Sequence, residues 1–431
     1  MDRGRSEPSW PPSPAVGYLA AFGLSLAMAV GNSLARFSYA LVLPAMRSDL
    51  GWSYTEAGAL NTINAVGYLI GAFVAVASIR RLGSKLPFIV GLWATAITVL
   101  ATAFVRDFAA IAAVRTLTGI AAAYVFVTGG VLAASIFPHD ARRAASAIAI
   151  YFAGGGIGLL LTALTIPWLL EVRGDAAWPQ AWVVLGVTSI VMSVLATIAA
   201  RPVPVAPSLR QPTPWSKRAM APLFIGYSCF ALGYFAYMTF IVAWMRERGM
   251  SGTDIAIVWA MLGLSTILSQ RIWARPFATW PAGRPFAAVM GTIGIGAALP
   301  LVDGGLPIMI ASALLFGCFY MVPAAITAFI KSSLPPVLWG EVFAAFTLIF
   351  SILQCFGPAA TGLLADLTGS LATGLGVSAG ILLMGAVAGW TQRKIEYIIC
   401  CNLGLHEAPP HASKGSSTCV RCTCGPDPNS E

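Results

Sequence analysis

An all-α integral membrane fold, with twelve transmembrane helices arranged as two pseudo-symmetric six-helix bundles, is what the sequence predicts. Three observations predict it. The 431 residues are 58% hydrophobic and only 10% charged, against about 25% charged in an average soluble domain. Apolar runs long enough to span a bilayer recur with little between them. Positive charge alternates loop by loop between the two faces that those runs define. The net charge of +9 is scattered over many short loops, so it reads as a topology signal and no nucleic-acid partner is expected.

The chain begins with MDRGRSEPSWPPSP, residues 1–14, which mixes acids with prolines and lacks a small-residue cleavage site. It reads as a short disordered cytoplasmic start and not as a signal peptide. Twelve apolar runs follow, at 15–46, 56–79, 86–105, 108–135, 144–170, 178–200, 219–245, 254–274, 285–303, 304–330, 340–363 and 369–391. Each is long enough to cross the hydrocarbon core. The breaks near Asp107, Gly304 and Asp366 are the shortest. The first six runs make an N-terminal bundle, 15–200, and the last six a C-terminal bundle, 219–391. Between them, RPVPVAPSLRQPTPWSKR at 201–218 carries five prolines and four basic residues and reads as a cytoplasmic linker between two halves that move as units. Residues 392–431 read as a disordered cytoplasmic tail. Cys419 and Cys422 have a metal-like spacing there, but no second pair accompanies them. Three of the eight cysteines (Cys229, Cys318 and Cys355) fall in spans and five in the last 32 residues, so no extracellular disulfide framework is legible.

The charge bias sets an orientation. With both termini cytoplasmic, nineteen of the 26 Lys and Arg residues lie on the inner side and five (Arg47, Arg106, Arg173, Arg246, Arg248) on the outer side. The remaining two, Arg36 and Arg115, are inside spans. All seventeen acids fall in loops or at helix ends, and His139, His406 and His411 are outside the runs. The usual proton-relay residues of transporters, buried Asp, Glu or His, are therefore missing from the predicted membrane interior.

Arg36 lies roughly 15 Å from the outer end of its run at ~1.5 Å rise per residue, near the middle of a bilayer about 30 Å thick. Burying a guanidinium there costs at least ~2.5–3.5 kcal/mol on insertion scales. Ser25, Asn32, Arg36 and Tyr39 share one polar stripe at helical spacing. Two readings stay open for Arg36, a lock made through backbone carbonyls and contact with a ligand or pathway. Its counter-charge is either an interfacial acid, Asp49 or Glu56, or the substrate itself. Asn61 and Asn64 in the second run serve a solute or bond between helices. Tyr227, Phe230, Tyr234 and Tyr237 share one face of the seventh run, as a cavity wall suited to an aromatic or cationic solute or as plain packing. Gly154, Gly155, Gly156 and Gly158 allow close approach in the fifth run. Pro323, Gly357 and Pro358 are expected bending points.

Several segments carry a family resemblance. RTLTG, containing Arg115 and Gly119, resembles the fourth-helix Arg-x-x-x-Gly motif of the major facilitator superfamily, which implies a part in cation coupling for Arg115. SIRRLGSK resembles that superfamily's Gly-x-x-x-Asp-Arg-x-Gly-Arg-Arg loop, with Arg81, Gly83 and Lys85 kept as gating residues and Arg80 standing where the acid belongs. GNSLARFSYALVLPAM, with GYFAYMTFIVAWM at 233–245 and RIWARP at 271–276, resembles the YbfB/YjiJ branch over residues 16–391. The resemblance implies alternating access around a central cavity.

The function expected is secondary active transport of a small organic solute, anionic or aromatic, coupled to protons or another ion, by a monomer in the cytoplasmic membrane. The substrate-binding residues expected are Arg36, Asn32, Tyr39, Asn61, Asn64, Tyr234 and Tyr237. Arg115, Arg81, Gly83 and Lys85 are the expected coupling and gating residues. No cofactor or metal is expected. The alternative is a transporter-like sensor that binds solute without flux; an enzyme reading finds no His, Cys or carboxylate cluster within the spans.

Overall fold

The structure, a computed structural model, describes residues 10, 13–138, 140–204, 218–335 and 338–395. The expectations for the N-terminal segment, the linker, the Cys-containing tail and His139 fall largely or wholly outside these residues. Among the described residues twelve helices are long and apolar enough to cross a membrane: α1 Pro14–Leu50, α2 Tyr54–Ile79, α3 Lys85–Phe104, α4 Phe108–Ser135, α5 Arg142–Arg173, α6 Asp175–Ala200, α7 Arg218–Glu247, α8 Gly252–Thr279, α9 Arg284–Leu301, α10 Gly305–Ser333, α11 Glu341–Thr368 and α12 Leu371–Trp390. The protein is an all-α, multi-pass membrane protein built of two six-helix halves. The eleventh helix runs on past the predicted 363 and carries Asp366 in its last turn.

The acids at the span ends have a local cause. Ser53 and Glu56 form a capping box at the start of α2, and Ser251 and Asp254 form another at α8. Asp107 accepts from the Ala110 amide at 2.9 Å at the start of α4. Such caps satisfy orphan amides and favour the positive end of the helix dipole. The turns after α1 and α11 close on Gly51 and Gly369, whose φ values of 68° for each favour glycine. Large apolar side chains such as Leu19, Phe73, Ile97, Leu164, Leu367 and Val387 stay exposed, as expected of surfaces that face lipid.

The halves meet along a seam made narrow by glycine. A Cβ on Gly156 of α5 would stand 2.6 Å from the Gly263 carbonyl of α8, and one on Gly58 of α2 would stand 2.4 Å from the Pro358 carbonyl of α11. Any side chain there would force the halves apart, because buried helices at such contacts have no slack.

Hydrogen bonds across the seam gather at mid-membrane and at the distal end, the end remote from Pro14 and Trp390. At the distal end Asp366 of α11 accepts from the Tyr54 amide at 3.0 Å, the Thr55 amide at 2.7 Å and the Thr55 hydroxyl at 2.5 Å. A carboxylate of one half thus caps the N-terminus of a helix in the other. The Tyr54 hydroxyl also donates to Glu247, and the Gly252 amide to Glu171.

A candidate solute site at the seam between the halves

Three helix irregularities meet at mid-membrane, and each has a cause in the sequence. In α1 the stretch Ala29–Phe37 is π-helical, and the Ser38 amide bonds the Ser33 carbonyl at 2.8 Å. Returning from that i→i+5 pattern to ordinary α-helix skips one carbonyl. The Ser38 hydroxyl fills the gap, donating to the Leu34 carbonyl at 2.5 Å. Such widened turns mark strained or functional positions. In α10 the tight turn Gly317–Tyr320 comes just before Pro323, whose ring opposes a regular helix over Phe319. In α11 the helix stops at Leu353 and restarts at Gly357. Pro358 has no amide hydrogen to give the Gln354 carbonyl, so the break falls there.

These irregularities bring Asn32 and Arg36 of α1 to Tyr320 and Gln354 of the other half. Arg36 Nη2 donates to Gln354 Oε1 at 2.9 Å, and its guanidinium carbon lies 4.3 Å from the centre of the Tyr68 ring and 5.1 Å from that of Phe235. One ring comes from each half. Cation–π contact offsets part of the burial cost, by about 0.5–2 kcal/mol per ring. Asn32 Nδ2 donates to the Tyr320 hydroxyl at 3.1 Å. Tyr234 Oη stands 3.5 Å from Gln354 Oε1, and its ring stacks on Phe230 at 4.7 Å and lies 5.6 Å from Phe350. Arg36 is 3% exposed and Gln354 fully buried, yet Arg36 Nε and Gln354 Nε2 have no hydrogen-bond partner. Buried donors are paired in the great majority of cases; Arg115 Nε and Nη2 also lack a partner, but the Arg36 and Gln354 orphans belong to two side chains bonded to one another across the seam.

The sequence of the family described as "Uncharacterised MFS-type transporter YbfB" matches residues 26–389. The chain belongs to this family of major facilitator transporters. Its fold is that of solved transporters: the nucleoside transporter NupG, with a TM-score of 0.65 at 14% identity over 86% of this chain and 99% of that one, and a bacterial homologue of the human lysosomal transporter Spinster. The inward-facing, occupied form of the latter has a TM-score of 0.67 at 14% identity, covering 89% and 97% of the two chains. Protein spinster of Drosophila melanogaster is 29% identical over 174 residues, which are 38% of this chain and only 27% of the length of that curated relative.

The remaining residues expected at the transporter's site separate into two groups. Asn61 reaches across the seam, donating to Thr239 Oγ1 at 2.7 Å. Tyr39, Asn64 and Tyr237 do not reach it. Tyr39 donates to the Ala57 carbonyl at 2.8 Å, Asn64 to the Arg115 carbonyl at 2.9 Å, and Tyr237 shares a 2.7 Å hydrogen bond with Ser312 while stacking on Phe316 at 3.8 Å. All three partnerships stay within one half. The single polar stripe drawn on α1 splits because the π-helical stretch changes the rotation per residue, so Arg36 and Tyr39 leave the helix in different directions.

Arg115 is fully buried inside the N-terminal half. Its Nη1 donates to the Ala35 carbonyl at 2.7 Å, and its guanidinium carbon lies 4.9 Å from the Tyr39 ring centre and 5.5 Å from that of Trp182. Arg81 is exposed, Gly83 takes φ 72° at the end of its helix, and Lys85 Nζ donates to the Arg201 carbonyl at 2.7 Å. The interfacial acids weighed as counter-charges for Arg36 are engaged elsewhere. Asp49 accepts from Trp178 Nε1 at 2.8 Å and pairs with Arg106 at 3.7 Å, and Glu56 caps α2.

Among the seam residues that sequence reasoning missed are Gln354, Tyr320, Tyr68 and Asp366. The available signal for Gln354 was a lone amide in an apolar run, three residues before the Gly357-Pro358 pair. Two recesses lie away from Arg36. One, of about 310 Å³, lies at the distal end beside Arg47, Arg246 and Glu247. The other, of about 470 Å³, is an apolar groove beside Leu82, Val90 and Tyr124 on a face exposed to lipid. Arg36 lines neither, and the chemistry of the seam, not the volume of these recesses, singles out the site.

Proposed function

We propose that this transporter moves a small organic solute by alternating access, its two halves rocking about the seam, with Arg36 holding the solute. The observation that carries the reading is a mid-membrane guanidinium bonded across the seam to a neutral amide, with a donor left over. An intramembrane arginine is too unfavourable to keep without a task, and one bonded to the opposite half senses the relative position of both. Asn32, Asn61 and Tyr234, which contact the other half or border Gln354, complete the binding group. The distal bonds of Asp366, Glu247 and Glu171 would form the gate on that side. By the charge bias that side is the outer one, with both chain ends facing the cytoplasm of a cell whose plasma membrane holds the protein as a monomer.

The movement is driven by an ion gradient, with the Arg81, Gly83 and Lys85 loop as a gating element and Arg115, whose partners all lie in its own half, bracing that half as it moves. The test is solute flux into vesicles reconstituted with the purified chain, with and without a pH gradient. The panel contains organic anions, aromatic solutes and a nucleoside, the last because NupG is a nucleoside transporter. Arg36-dependent flux is expected, with Arg36→Lys reducing it by about tenfold or more because a point charge does not reproduce the planar fork. Saturable binding without flux of any bound solute would overturn the reading in favour of a sensor.

A further inference from the structure

We propose that Arg36 and Gln354 form a clamp across the seam for a single planar carboxylate carried on an aromatic ring. The inference rests on the reading above, that the seam holds the transported solute, and names the class of that solute and a second residue that selects it.

The two orphan atoms are both donors. Arg36 Nε and Gln354 Nε2 belong to side chains already joined at 2.9 Å, one from each half. A group that satisfies both must bring acceptors and no competing donor, with oxygens spaced to meet a guanidinium edge and an amide. A carboxylate does this, and arginine matches its geometry in two parallel bonds. In the structure the Gln354 carbonyl oxygen occupies part of the guanidinium edge as one carboxylate oxygen would.

The rings limit the room. Tyr68 and Phe235 lie 4.3 and 5.1 Å from the guanidinium carbon, so a partner shares the space beside Arg36 with one ring of each half. A flat carboxylate needs less of that space than a bulkier tetrahedral phosphonate. The charge count selects a single carboxylate. Arg115, the arginine nearest in depth, is held inside its own half by the Ala35 carbonyl, so Arg36 alone meets the ligand, and a second carboxylate would be buried without a partner. The body of the ligand is set by Tyr234, Phe230 and Phe350, whose rings lie 4.7–5.6 Å apart beside Gln354. Such a surface favours an aromatic ring in offset stacking.

The test uses the purified full-length chain, with binding read by tryptophan fluorescence and melting measured on every variant. Benzoate is the probe, compared with benzamide, phenylphosphonate, terephthalate and cyclohexanecarboxylate. Benzoate is expected to bind at least about tenfold more tightly than benzamide, through the charge-assisted bond that benzamide lacks. It should also bind more tightly than phenylphosphonate and than terephthalate, which buries a second charge, and at least about threefold more tightly than cyclohexanecarboxylate, which cannot stack. Gln354→Glu places an anion beside Arg36, and is expected to abolish benzoate binding without lowering the melting temperature. Gln354→Ala is expected to weaken benzoate by about fivefold to tenfold through loss of one donor. Benzamide binding as well as benzoate, or Gln354→Glu binding benzoate like the wild type, would overturn the clamp. Benzoate uptake into vesicles separates the two readings. Arg36-dependent flux of a nucleoside or another non-carboxylate, with no benzoate binding, sinks the clamp and leaves the transport reading standing. Benzoate binding that depends on Arg36 and Gln354 with no flux supports the clamp and sinks the transport reading.

Discussion

Arg36 and Arg115 are the same residue type at similar depth, and both are buried among aromatic rings, yet their surroundings differ in kind. Arg115 bonds a backbone carbonyl of its own half and lies near Tyr39 and Trp182, also of its own half. Arg36 bonds a side chain of the other half and lies within cation–π distance of one ring from each. The depth of a buried charge therefore does not separate the two environments; the half that supplies the partners does, and the proposed roles of brace and binding group follow that division. In the proposed rocking of the halves the contacts of Arg115 would travel with it, whereas those of Arg36 with Gln354 and Phe235 would break and re-form.

Three substitutions sharpen that contrast. The largest expected effect is on stability. Arg115→Ala leaves the Ala35 carbonyl short of a donor beside the π-helical stretch and opens space between Tyr39 and Trp182, a loss of about 2–4 kcal/mol. Its melting temperature in detergent should fall well below that of the wild type and below that of Arg36→Ala; equal melting of the two variants would erase the distinction. Next comes Pro358→Ala, which restores an amide able to bond the Gln354 carbonyl and straightens α11. Transport should fall by about threefold to tenfold as Gln354 withdraws from Arg36, with melting unchanged or raised. An unchanged rate would mean that the break in α11 does not position Gln354.

The smallest effect concerns the distal end. Asp366→Asn keeps the shape of the cap but removes its charge, weakening the hold of α11 on the start of α2 by about 1 kcal/mol. Pulsed electron paramagnetic resonance between labels at Ser48 and Thr368 should show a larger share of long distances. An unaltered distribution would mean that Glu247 and Glu171 hold this end closed without Asp366.

Much of this was legible in the sequence, for reasons that can be named. Hydropathy located the twelve helices because each span must satisfy its own backbone in lipid, and the acids fell at helix ends because Ser53-Glu56, Ser251-Asp254 and Asp107 are caps. Arg36 stood out because nothing else in the first run is charged. Gln354 did not, since a neutral amide in an apolar run reads as packing until the residue opposite is known. The partnership of Asp366 with Tyr54 and Thr55 spans more than 300 residues, and no local pattern encodes it. Tyr39 and Tyr237 share helical faces with true seam residues but turn into their own halves, one because of the π-helical stretch and the other because Ser312 and Phe316 draw it to α10.

The central claim is that Arg36 binds solute and does not merely hold helices together. Measuring flux and melting temperature on the same preparation of Arg36→Ala tests it most directly. Flux should fall by about tenfold to a hundredfold, the worth of a lost charge-assisted hydrogen bond, with melting within a few degrees of the wild type. Wild-type flux together with a clearly lowered melting temperature would contradict it and make Arg36, like Arg115, a brace.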